Sequence, residues 1–326
     1  MKKIFALCLC GVMLFSLVAC GESTPAWDAT AKAHELAENW IKQQIENNSL
    51  FSFTYNGEEY QKHIRAWKKT VNQTEQGWDI VYTSKDGVTF TGTITYDKAH
   101  AALDWVGSFR HDGTDRSGVI GNVLMLDAGF PIADGAVTTA NNGGQTGIDD
   151  YQAYTTELTV EPFEVKNSGG RSSQDAWPWF DITAQDQSHG IMLAIGWSGN
   201  WKASFVQKED TVCISAGMQQ TNYYMESGEV LRTPSIVVQF FNGNQDAGHN
   251  AWRQLLLANY NPKTPTGEDV TYAPICINSW GGQGAESLVK IMQNAVAVRR
   301  WHLCDANITQ IRQWQAFSVC VKQSLT

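Results

Sequence analysis

The chain lacks any long run of lysine or arginine. Lys and Arg number 24 against 33 Asp and Glu, a formal net charge of −9. Phosphate backbones are held by cations, so nucleic acid is excluded as a partner. There is no Gly-x-Ser-x-Gly elbow to expose a nucleophilic serine and no Walker loop to cradle phosphates. The seven cysteines fall at wide, irregular intervals without metal-ligand spacing. His189 and His249 have no ligand-spaced partners and are expected to be structural. No metal, nucleotide or other cofactor is expected. No internal repeat or low-complexity tract appears.

The first twenty residues are informative. Lys2 and Lys3 precede an almost unbroken apolar run, Ile4 to Ala19. That order is the layout of a secretory signal, and the run is shorter than the roughly 20 residues that span a bilayer. It ends in Leu17-Val18-Ala19-Cys20, which resembles the bacterial lipobox. The resemblance implies acylation of the Cys20 thiol and cleavage just before it. Several acyl chains, at about 0.8 kcal/mol per buried methylene, hold a protein at a membrane. The expected product is an exported lipoprotein anchored on the extracytoplasmic side. Residues 1–19 are then the signal and 20–28 a spacer. Cys8 and Cys10 leave with the signal. Cys213, Cys276, Cys304 and Cys320 remain as buried or free thiols, or as a disulfide whose pairing the spacing does not assign.

Thirteen Trp residues are many for this length. Indole faces stack on the C–H faces of sugars, but they also fill β-sandwich cores. Composition alone leaves both uses open.

Residues 29–47 repeat apolar side chains at helical spacing: Ala33, Leu36, Ala37, Trp40, Ile41 and Ile45. From about residue 50 the period shortens to two. Trp78–Thr83 and Val88–Tyr96 flank Lys85-Asp86-Gly87 as a hairpin. Further strands are predicted near 103–110, 119–126, 155–165, 177–184, 190–197, 201–207, 211–216 and 234–241. Asn141 to Asp149 reads as a polar loop, in which Asp149 and Asp150 form a solvated turn. A helix is predicted over 247–259, a linker over 261–272, a strand over 273–277 and a helix over about 285–298. The fold expected is mainly β: a large antiparallel sandwich with a few helices over 29–260, followed over 273–326 by the start of a β/α unit.

Four segments, in order, resemble the melibiase-type α-galactosidases. Ile191 to Trp201 ends in the GWSGNW-type segment of that family. Ser227 to Pro234 resembles its GExxxTP turn. His249-Asn250-Ala251-Trp252-Arg253 resembles the helix that closes its sandwich. Ile277-Asn278-Ser279-Trp280 resembles its first barrel strand. Leu103-Asp104-Trp105 and Leu124 to Asp127 fit the same sandwich more loosely. The resemblance implies a β-supersandwich followed by a (β/α)8 barrel. It also implies retaining hydrolysis of terminal α-linked galactose by two aspartates on later barrel strands, about 5–5.5 Å apart. Trp280 matches a tryptophan of the galactose pocket, with Asn278 and Ser279 beside it. Trp301 to Ala306 echoes a second barrel strand, placing Asp305 as a substrate-binding acid.

The chain departs from that family at its end. A barrel takes about 250 residues, and only about 50 follow Trp280. No residue here matches the catalytic aspartates, so no catalytic residue is assigned. The chain is expected to be inactive alone, the resemblance ending near residue 296 through a frameshift or a premature stop. The alternative expectation is a surface lipoprotein that binds an α-galactoside or another carbohydrate without catalysis. Trp197 and Trp201, on either side of a Ser-Gly-Asn turn, are expected to pack in the core.

Overall fold

A computed structural model describes residues 29–269, except 134, 145 and 146, together with the backbone of 275–278 and 301–304. Residues 1–259 and 260–326 form two compact units.

The first unit opens with helix α1 (Ala31–Asn47). The Thr30 hydroxyl caps it by accepting from the Ala33 N–H, and Asn48 closes it in the left-handed region at φ 54°. Strand β1 (Ser52–Tyr55) follows, then the short helix α2 (Tyr60–His63). Fourteen further strands among the described residues complete the sandwich, and two sheets result.

The smaller sheet runs in the order β1, β6 (Ile120–Phe130), β13 (Thr211–Met218), β12 (Trp201–Lys208) and β9 (Phe163–Asn167). The short β14 (Asn222–Tyr223) also pairs with β6. The larger sheet has nine strands. Its first half is β2 (Lys68–Gln73), β3 (Gly77–Thr83), β4 (Val88–Asp97) and β5 (Ala102–His111). The central β15 (Val230–Asn242) joins these to β11 (His189–Gly196), β10 (Trp179–Thr183), β7 (Val137–Asn141) and β8 (Ala153–Glu157). Every pairing in this unit is antiparallel.

The core lies between the sheets. Phe53, Phe205 and Ile214 of the smaller sheet meet Phe90, Phe109, Phe180 and Val238 of the larger in one buried cluster. Alternation drives this. In β4 every second residue from Val88 to Tyr96 is buried, so one face of the strand can leave water. Trp40 of α1 bridges the sheets, stacked on Phe130 at 4.6 Å and tilted against Phe240 at 5.6 Å.

The segments singled out in the sequence have structural uses. The GWSGNW turn carries the chain from β11 in one sheet to β12 in the other. The Asn200 side chain accepts from the Gly170 N–H, and the Trp201 indole donates to the Ser172 carbonyl at 2.7 Å. Pro234 sits inside the central strand β15, where a proline is tolerated only at an irregularity. The register with β5 slips there, between Arg232 and Ser235. The buried Thr233 hydroxyl bridges the gap by accepting from the Gly107 N–H at 2.9 Å.

Helix α3 (Gln245–Leu255) lies on the outer face of the larger sheet, over β15, β11 and β10. Asn244 caps it, and Gly248 lets it approach: a Cβ there would stand 2.7 Å from the Phe241 ring.

Several expectations shift. The strand predicted over 155–165 is two strands in different sheets, β8 and β9, because the chain turns between Leu158 and Pro162. The second helix starts at Gln245 rather than 247 and gives way to a π turn over Leu256–Tyr260. Strands β1, β2 and β7 were not expected.

In the second unit, β16 (Ile275–Asn278) and β17 (Trp301–Cys304) pair in parallel. The helix predicted over 285–298 lies outside the described residues.

Candidate functional site

Parallel strands cannot be joined by a tight hairpin and need a crossover. The registers Ile275↔Trp301 and Asn278↔Cys304 therefore define two parallel strands joined by a crossover. In barrels built of such strands, the chemistry sits at the C-terminal strand ends. Asn278 and Cys304 occupy those ends side by side. In sequence, Trp280 follows β16 by two residues and Asp305 follows β17 by one. Trp280, Ser279, Asp305 and the lipidation candidate Cys20 lie outside the described residues.

Within the sandwich, the tryptophans of the GWSGNW turn divide. Trp201 is fully buried, as expected for core packing, and Trp197 is partly buried against the same core. His189 is tied between the Ser188 hydroxyl and the Pro131 carbonyl, a structural arrangement. The Asp149–Asp150 segment is a turn in which the Asp150 carboxylate accepts from the Gly147 N–H. Cys213 is a free thiol.

His249 is more interesting than its sequence context indicates. Its Nε2 lies 3.1 Å from Asp181 Oδ2. The imidazole is about half exposed, whereas the carboxylate side chain is 2 % exposed. The other carboxylate oxygen accepts from the Thr183 hydroxyl at 2.5 Å. Although Oδ2 is within ion-pair distance of His249, no donor is aligned on it as a hydrogen bond, and the distance is the firmer guide to their attraction. Burial pushes the Asp181 carboxyl above its ordinary range, while Thr183 and His249 pull it back. The pair joins β10 to α3. No spacing rule finds it, because its members lie far apart on a strand and a helix. The one visible signal is an Asp inside the apolar strand Trp179–Thr183.

Among the described residues no three His, Cys, Asp or Glu side chains gather as a metal site. None of the helices described is long and apolar enough to cross a membrane.

The architecture is thus a two-sheet antiparallel sandwich followed by a parallel β unit. No family model and no curated relative matches the chain. Solved structures do. The α-galactosidase from Lactobacillus brevis superposes with a TM-score of 0.59 at 13% identity, covering 78% of this chain and 37% of its own. The GH36 α-galactosidase AgaA from Geobacillus stearothermophilus gives 0.57 at 15% identity, over 78% of this chain and 39% of its own. A substituted form of AgaA in complex with stachyose gives 0.56 at 15% identity, over the same shares. The chain has the fold of the N-terminal domain of these enzymes and spans well under half of their length.

Proposed function

We propose that this chain belongs functionally with the glycoside hydrolases that release terminal α-linked galactose with retention. The observation that carries this reading is the fold likeness to GH36 α-galactosidases over 78% of the chain. The parallel β16–β17 pair supports it, since that pair stands where a catalytic barrel begins. In this reading Trp280 lines the galactose pocket, with Asn278 and Asp305 beside it. In this reading the two catalytic aspartates belong to later barrel strands, and no residue of this chain is assigned to either role. The lipobox ending in Cys20 anchors it on the outer side of a membrane.

A second reading is a carbohydrate-binding surface protein that needs no catalysis. The partly exposed Trp177 and Trp179 on the sandwich favour it. Turnover of p-nitrophenyl α-galactoside by the purified protein separates the two. Release of nitrophenol by this chain alone overturns the assignment of the catalytic aspartates elsewhere. Absence of turnover, with a barrel continuing in another reading frame after codon 285, supports the first reading. Absence of turnover with no such frame supports the second.

A further inference from the structure

The outer face of the larger sheet carries a groove built from residues of the first unit. On β10, Trp179, Asp181 and Thr183 face outward, while Phe180 and Ile182 enter the core. On α3, Gln245, His249 and Trp252 fall at helical spacing on one stripe. The two series meet as a ladder. Trp252 packs edge-on to Trp179 at 5.8 Å, and His249 stands at Asp181. Gln245 donates to the Thr139 hydroxyl on β7 at 2.6 Å. Helix α3 is therefore a wall. The floor beside it is the outer face of the β7–β8 hairpin, where Thr139 pairs with Thr155 and Asn141 with Ala153. Thr139, Thr155 and Ala153 are small and leave the floor open, and on the same face Val137 pairs with the exposed Glu157, which disfavours anions.

Each end of the groove is built. At one end Trp179 contacts Trp177 edge-on at 5.4 Å, and Trp177 contacts Tyr151 at 5.2 Å. Both tryptophans are partly exposed and Tyr151 is 55% exposed. At the other end is a cavity of about 130 Å³, where the apolar Val137 and Ala184 stand beside Thr139, Thr155, Thr183, Gln185, Gln187 and Gln245. About 13 Å of strand separates Thr183 from Trp179.

The chemistry of this lining selects a ligand class. No charged side chain lines the cavity. The Gln185 and Gln187 amides and the Thr155 hydroxyl make no hydrogen bond among the described residues, so both donors and acceptors are available. Directly behind Thr183 stands the buried Asp181 carboxylate, and beside Trp179 the buried Trp252 indole N–H has no acceptor among the described residues. Uncharged amides and hydroxyls at one end and aromatic faces at the other match a ligand with many hydroxyls, apolar ring faces and no charge. We infer that this groove binds a neutral oligosaccharide, one ring against Trp177 and Tyr151 and a hydroxyl-bearing arm in the Thr/Gln cavity. This site gives the second functional reading its location and rests on it.

The test is calorimetric titration of the full-length protein in detergent with stachyose and with maltotetraose. At least one should bind. Trp177→Ala removes the stacking face and Thr139→Leu fills the floor, and each should weaken binding about tenfold or more. Thr139 is on the solvent face of an edge hairpin, so Thr139→Leu keeps the fold should Trp177→Ala disturb it. Melting temperature checks both. Binding that persists in both variants overturns the groove while leaving the carbohydrate-binding reading intact. Absence of binding to either sugar overturns both together.

Discussion

The tryptophans of the interior and those of the outer sheet face are used differently. Trp40, Trp105 and Trp201 lie between the sheets, and each indole N–H reaches a backbone carbonyl. Their acceptors are Gly129, Met125 and Ser172, at 2.6–2.7 Å. On the outer face Trp252 is as buried, yet its N–H has no acceptor among the described residues, and Trp177 and Trp179 remain partly in water. A Trp-rich composition serves core packing and sugar stacking equally well. The acceptor opposite each indole separates the two uses. Where the N–H is satisfied by the fold the ring is architecture, and Trp177 and Trp179, whose rings keep part of their area in water, belong to a surface able to take a partner.

The largest expected effect lies in the interior. Trp105→Ala should lower unfolding free energy by about 3–5 kcal/mol, from lost burial and the cavity it leaves. Denaturant unfolding followed by far-UV circular dichroism measures it. A loss below about 1 kcal/mol would mean that the sheets repack around the gap and that the interior is no more specified than the surface. A paired substitution sharpens the contrast at similar volume. Trp105→Phe strands the Met125 carbonyl and should cost about 1–3 kcal/mol. Trp252→Phe removes a buried N–H that has no acceptor, so it should cost distinctly less. Equal losses would show that the acceptor does not distinguish the two regions.

Much of the sandwich was legible because its strands alternate. Val88 to Tyr96 sends bulky apolar residues one way and threonines the other, and β4 follows that pattern. Strand β2 (Lys68–Gln73) was not legible because it is an exposed edge with almost no apolar face. The hidden break between β8 and β9 has a different cause. Both halves read as β, and only tertiary structure sends them to opposite sheets. The groove is less legible still. Asp181 and His249 meet because α3 crosses β10, and no local period encodes that crossing. The fold and the parallel start of the second unit were readable from ordered motifs. The groove needed the packing.

A smaller effect tests whether α3 is an independent wall. Asn244→Ala removes the side chain that accepts from the Ala247 N–H. Loss of such a cap costs about 1 kcal/mol. Hydrogen exchange should accelerate in the first turn of α3 while the amides of β4 and β5 stay protected. Acceleration throughout the larger sheet would mean that the outer face and the interior form one cooperative unit.

The subtlest test is Asp181→Asn. Burial raises the folded-state pKa of this carboxyl above its unfolded value, which is about 3.9. Between those two values the folded protein binds more protons than the unfolded chain. Wild-type stability therefore falls as pH climbs through that window, and the penalty is fully present above the folded pKa. Asparagine keeps an acceptor for Thr183 and cannot ionise, so the variant lacks this fall. It also loses the attraction between the carboxylate and His249, which opposes the gain. The net difference at pH 7 should be under about 1 kcal/mol and favour the variant, because the charge removed is the buried one while the half-exposed His249 left behind is solvated by water. Urea midpoints at pH 4 and pH 7 read it as a slope, which is more robust than either value. A variant that weakens relative to wild type as pH rises would show that the His249 attraction outweighs burial. The outer face would then be held by charge, as the interior is held by apolar packing, rather than left partly unsatisfied for a ligand.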